Sequence, residues 1–182
     1  ELSYRLYVRP AAAGSSGGVS AGSGKLVPEG DGWLKISGPE ALTKTELEWN
    51  TDTVGDGTYE LQLIASDEKS NPPEQLLTYV YTSPPFVVDN RRPELRDGKW
   101  NAERGAITGV AVDAATPIAE LAYSIDGGEF YPVAAKDGLL DDLSEEFAVK
   151  PLRLTAGTHT AVVRALDAAD NASTTQLVIT VK

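Results

Sequence analysis

The sequence contains no cysteine, no methionine and a single histidine, His159. Without cysteine there is no disulfide, no thiolate metal site and no thiol nucleophile. One histidine cannot build a histidine-rich metal centre. Basic residues are also scarce: 16 lysines and arginines stand against 27 aspartates and glutamates, a net charge of −11. Such a surface repels nucleic acid and anionic lipid, so neither is expected as a partner. Long apolar runs are absent too. The longest are short, such as Leu177-Val178-Ile179 and the stretch from Leu76 to Tyr81, so no membrane insertion is expected. No basic-then-apolar leader opens the chain, and no segment carries a sustained helical stripe.

What the sequence does hold is an internal repeat. Gly57, Thr58, Ala65, Asp67 and Asn71 recur as Gly157, Thr158, Ala165, Asp167 and Asn171, at a constant offset of 100. Glu1-Leu2-Ser3-Tyr4-Arg5-Leu6 reads like Glu120-Leu121-Ala122-Tyr123-Ser124-Ile125. Trp33-Leu34-Lys35-Ile36 reads like Phe130-Tyr131-Pro132-Val133. Three matches in the same order indicate two copies of one unit. Each copy alternates with period two and is punctuated by Asp-Gly pairs such as Asp56-Gly57 and Asp126-Gly127, the pattern of short strands and tight turns.

The second copy accommodates seven strands: 94–101 (A), 106–114 (B), 118–126 (C), 129–135 (C′), 145–152 (E), 157–167 (F) and 173–181 (G). That count and size suit a sandwich. The segments GTYELQLIASD…N, PFVVDN…P and GTHTAVVRALDAADN resemble tandem immunoglobulin-like or fibronectin type III-like modules of bacterial extracytoplasmic proteins. The resemblance implies an all-β fold of two β-sandwich domains, residues 1–92 and 93–182. It implies that Gly-Thr-Tyr opens strand F and that Asp-x-x-x-Asn closes it into the F–G turn. It also implies an extracytoplasmic location. His159 departs from the pattern, since the first copy has Tyr59 there, the position of a tyrosine corner. The backbone group that such a hydroxyl serves would then need imidazole or water.

Aligned on the second copy, Glu1 to Tyr4 begins at strand C, so the first copy lacks strands A and B. A sandwich of strands C to G alone would expose its core. The missing strands are expected upstream in a parent protein, or from a strand-donating chain. With the start at Glu1, the chain reads as the C-terminal part of a longer protein. Two insertions distinguish the copies. The Gly/Ser-rich stretch 10–32 reads as a flexible loop, either a binding loop or a tolerated insertion. Asn71 to Pro85 lengthens the F–G connection and carries Leu76, Leu77, Tyr79 and Tyr81, an interaction wedge toward a preceding domain or an ordinary hairpin.

At the junction, Asp89 and Asn90 precede Pro93, and the B–C and F–G loops bring Asp113, Asp167, Asp170 and Asn171 nearby. Hard oxygen donors of this kind suit calcium, but no D-x-D-x-D-G run is present. The alternative is a set of Asx turns with Arg91 and Arg92 neutralising the acids. Asp141, Asp142, Glu145 and Glu146 form a weaker acidic group. No other cofactor is called for. Catalysis is not expected: the one histidine falls at a structural position, and the Gly-rich stretch lacks a phosphate-loop ending, since Gly24-Lys25 is followed by Leu26. The expected function is a non-enzymatic spacer, scaffold or interaction module of a larger exported protein. The alternative is a carbohydrate-binding appendage of a secreted enzyme, with Trp100 the freest of the three tryptophans and polysaccharide as partner.

Overall fold

A computed structural model describes residues 1–23, 26–28, 30–152 and 154–182. The fold is all-β, and every strand pairing among the described residues is antiparallel. The only helical pieces described are single 3-10 turns at Thr51–Thr53 and Pro73–Gln75. No helix is long and apolar enough to cross a membrane. The chain divides into two compact units, Glu1–Val88 and Asp89–Lys182.

Unit 2 is a two-layer sandwich. Its strands are β7 (Glu94–Asn101), β8 (Ala106–Val112), β9 (Ile118–Ile125), β10 (Tyr131–Pro132), β11 (Ser144–Val149), β12 (Gly157–Asp167) and β13 (Ala172–Val181). One sheet runs β10-β9-β12-β13, the other β11-β8-β7. These are the expected strands C′-C-F-G and E-B-A. Only C′ falls well short of its expected 129–135, although the Val133 amide just beyond it still donates to the Leu121 carbonyl at 2.8 Å. Alternation sends Leu121, Tyr123, Ala161, Val163 and Ala165 inward from one sheet and Ile107, Ala111 and Phe147 from the other. Burying these side chains is the main stabilising term, roughly 2 kcal/mol for each large one. Packing is close at Gly109, where an added Cβ would meet the Phe147 ring at 2.7 Å.

Unit 1 contains β1 (Ser3–Pro10), β2 (Gly18–Ser23), β3 (Leu34–Lys35), β4 (Gly57–Ser66), β5 (Leu77–Thr82) and β6 (Phe86–Val88). They form a single sheet, β2-β5-β4-β1-β3, with β6 alongside β4. β1, β3 and β4 occupy the places of β9, β10 and β12. β5 and β6 together take the place of β13.

Three expectations need correction, and one open alternative is decided. The match of Tyr4 to Tyr123 is displaced by two residues: Leu6 faces Leu63, where Tyr123 faces Val163. A shift of two keeps every side chain on its face, so the apolar pattern alone could not detect it. Second, the insertion 10–32 is not all loop. Gly18–Ser23 pairs with β5 as an edge strand, and Gly17 passes so close that a Cβ would lie 2.7 Å from Thr82 O. Small residues permit that approach, which is why a loop-like composition hides a strand. Of the insertion, residues 24, 25 and 29 lie outside the described residues. Third, among the described residues the first copy forms no strand E, and the bridge Tyr4–Leu42 marks that region. Of the two readings of the stretch from Asn71 to Pro85, the ordinary hairpin is the one found for Leu77 to Thr82. That segment is β5 itself, paired with β4, as its alternation of Leu77, Tyr79 and Tyr81 with Thr78, Val80 and Thr82 requires.

Candidate functional site

The most organised polar site lies at the start of unit 2. Asp89, Asp113 and Asp167 place carboxylate oxygens within 4.8 Å of one another, and all three residues are buried. Asp89 and Asp113 are 6% exposed and Asp167 is 1% exposed. Each caps a turn. Asp89 Oδ1 accepts the Arg91 amide at 3.0 Å. Asp113 Oδ1 accepts the amides of Ala115 and Thr116 at 2.8 and 3.1 Å. Asp167 Oδ1 accepts the amides of Ala169 and Asn171 at 2.8 and 2.9 Å. Short carboxylates reach amides two to four residues on, which is why aspartate suits these three loops.

Two further bonds join the loops into a clasp. Thr116 Oγ1 donates to Asp89 Oδ2 at 2.6 Å. Asn171 Nδ2 donates to the Asp89 carbonyl at 2.9 Å and to Asp167 Oδ2 at 3.0 Å. Among the described residues no ion pair joins a lysine or arginine to any of the three aspartates. Neutral donors satisfy them instead, a favourable way to keep charge below the surface. Thr116 was missed by the sequence reading. Its spacing three residues after Asp113 is the only signal that could have found it.

The expected calcium ligands are therefore only partly assembled. Asp89, Asp113 and Asp167 converge. Asn171 is beside them but presents its amide N–H, not its oxygen. Asp170 is exposed and outside the cluster, its backbone at φ 65° closing the turn after Asp167. Asn90, next in the chain after Asp89, is half-buried. The second acidic group gathers Asp141, Asp142 and Glu145. Glu145 is spent on the amides of Asp141 and Asp142, at 3.0 and 2.9 Å, while Glu146 pairs with Lys136 at the surface.

His159 completes unit 2's polar set. Its Nδ1 lies 2.7 Å from Asp126 Oδ2 and its Nε2 lies 3.0 Å from the Thr155 carbonyl. Both ring nitrogens face acceptors, so the imidazolium fits the site better than the neutral ring. The hydrogen bond to Asp126, then the one to Thr155, raises its pKa above the usual histidine value. The same partner and the Thr160 amide hold Asp126 below the usual carboxylate range.

The tryptophans are mostly committed. Arg9 lies 4.3 Å over the Trp33 ring. Trp49 packs on the Val8, Tyr59 and Val88 core and donates to Thr53 Oγ1 at 3.1 Å. Trp100 donates to the Thr180 carbonyl at 3.1 Å, yet its ring also lines a surface depression with Glu103, Leu154 and Lys182. Of the expected interaction residues, Leu76 is buried, whereas Leu77, Tyr79 and Tyr81 are exposed along one face of β5.

Compared with known proteins, the chain matches no family model, no curated protein and no solved structure.

Proposed function

We propose that the chain is a non-enzymatic spacer or interaction module, made of immunoglobulin-like or fibronectin type III-like units, within the extracytoplasmic part of a larger exported bacterial protein. The observation that carries this reading is the clasp on Asp89. The polypeptide arriving at unit 2 is bound through its side chain to Thr116 and through its carbonyl to Asn171. Pro93, buried four residues on, fixes the backbone further. A module whose leading segment is tied to its own loops transmits direction along a chain of modules, which is what a spacer must do.

The test is backbone relaxation on the full chain by nuclear magnetic resonance. Amides of Asp89 to Arg92 are expected to be as ordered as those of β12, and Asn171→Ala should loosen them. Linker-like relaxation at these amides in the unaltered chain would sink the reading.

Carbohydrate binding is the second reading, and Trp100 in its open depression favours it. An indole face beside a carboxylate and an ammonium group can stack on and hydrogen-bond a sugar ring. Retention on insoluble polysaccharide that disappears in Trp100→Ala would establish it; no retention would remove it.

A further inference from the structure

The repeat allows the two units to be compared position by position on one face of the sheet. In unit 2, Ala161, Val163 and Ala165 point into the core and are fully covered by the second sheet, through Ile107, Ala111 and Phe147. Their counterparts in unit 1, at the constant offset of 100, are Leu61, Leu63 and Ala65. These are half-buried. Alternation places Tyr4, Leu6 and Val8 of β1 on the same face, together with Tyr79 and Tyr81 of β5 and Val19 of β2.

One end of this face is closed. Val8, Tyr59 and Val88 are buried there beneath Ile36, Trp49 and Val54. The other end is only partly covered. Leu42 and Leu47 form a cleft over Tyr4, Leu6 and Leu63. A second apolar depression follows along Leu2, Ala65, Leu77 and Tyr79. Leu77 is 65% exposed and Val19 64%. The opposite face is already buried, with Ser3, Tyr7, Ile64 and Ser66 all covered. Polar contacts also run along it: Arg9 with Glu60, Arg5 with Glu68, and Tyr7 OH donating to the Leu26 carbonyl.

An apolar face of this extent marks a surface that another element buries. The occupant follows from unit 2. There the covering layer is built on the hairpin β7–β8, and the chain passes from β8 directly into β9. β1 is the counterpart of β9. We propose that the open face of the unit 1 sheet seats an amphipathic antiparallel strand pair of the β7–β8 kind, supplied by polypeptide on the N-terminal side of β1. It would stack face to face on Leu63, Ala65 and Tyr79, as Ile107 and Phe147 stack in unit 2. This differs from strand addition at an edge, because the ladder of β4 is already occupied on both sides by β1 and β5. The proposal is independent of the spacer reading: it concerns β1, β4 and β5, not residues 89–92.

The test uses the full chain and a graft of its own residues 93–117 placed ahead of Glu1. The unmodified chain is expected to bind an apolar fluorescent dye. The graft should reduce dye binding at least threefold and slow amide exchange in β4 at least tenfold. The same graft carrying Ile107→Asp and Ala111→Asp in the added copy should do neither. Leu63→Asp in the unmodified chain should leave unit 1 folded and lower dye binding, whereas Val163→Asp should unfold unit 2. The proposal is overturned if the intact graft behaves like its doubly substituted control. It is overturned equally if Leu63→Asp unfolds unit 1. A dimer in sedimentation that hides the face, and that Leu63→Asp dissociates, would make a second copy the occupant and overturn it as well.

Discussion

Tyr59 and His159, one hundred residues apart, make the same bond. Tyr59 OH donates to the Gly55 carbonyl at 2.7 Å, and His159 Nε2 meets the Thr155 carbonyl at 3.0 Å. Each reaches four residues back to the turn that precedes its long strand. The two side chains differ in charge, so the two units should respond differently to pH.

For unit 2, the folded pKa of His159 is raised, so its stabilisation is fully present below the unfolded value near 6.5 and is lost as pH rises through the higher folded value. Asp126 is lowered, so its share is present above the unfolded carboxylate value and lost as pH falls through the folded one. The pair therefore contributes most between the carboxylate and imidazole ranges. Melting curves at pH 5 and pH 8 should show an advantage of the unaltered chain over His159→Ala that shrinks at pH 8. A histidine titration midpoint below 6.5 would contradict this.

For unit 1, Tyr59→Phe should cost about 1 kcal/mol, the usual net value of a neutral hydrogen bond. The cost should be the same at pH 5 and pH 8, since the bond joins a hydroxyl to a backbone carbonyl. Urea unfolding followed at both pH values checks it. A pH-dependent loss would mean that another group had replaced the bond.

Asp167→Ala should be among the most damaging single changes in unit 2, at roughly 3 kcal/mol, because it removes a buried acceptor shared by three donors. The carboxylate holds the amides of Ala169 and Asn171 and the Asn171 side chain. Asp67 in unit 1 binds the Asn71 side chain at 2.6 Å and the Leu77 amide at 2.9 Å. Asp67→Ala should cost less, since Asp67 is only half-buried. Equal losses in denaturant titrations would argue against burial as the cause.

Millimolar calcium should leave the melting temperature of unit 2 unchanged. The carboxylates of Asp89, Asp113 and Asp167 already accept N–H and O–H donors, and Asn171 offers a donor where an ion needs an oxygen. A calcium-dependent rise that chelator reverses would show that the ion displaces these donors.

The β character and the strands of the second copy were legible because each rests on local alternation and turn residues, and the Asp-x-x-x-Asn turn because the resemblance implied it. The histidine's structural place was legible as well, since the offset set it beside Tyr59. Less visible were features that depend on partners distant in sequence. Gly18–Ser23 carries no strand signal of its own and is a strand only beside β5. The clasp needed Thr116, whose value appears only when Asp89 is brought to it. The Glu1–Tyr4 match misled by two residues because residue identity and pairing register are separate constraints.

The charged residues facing outward from β1, β4, β9 and β12 bear on misassembly, the standing hazard of adjacent similar modules. In unit 1 Arg9 sits opposite Glu60; in unit 2 Arg164 reaches Glu120. Exchange the partners in their native registers and the complementarity is lost. β1 laid on β12 would set Arg5 opposite Arg164, and β9 laid on β4 would set Asp126 opposite Glu60. Each hybrid sheet would bring like charges face to face. Like charges at these positions would weigh against such hybrids by roughly 0.2–1 kcal/mol per pair.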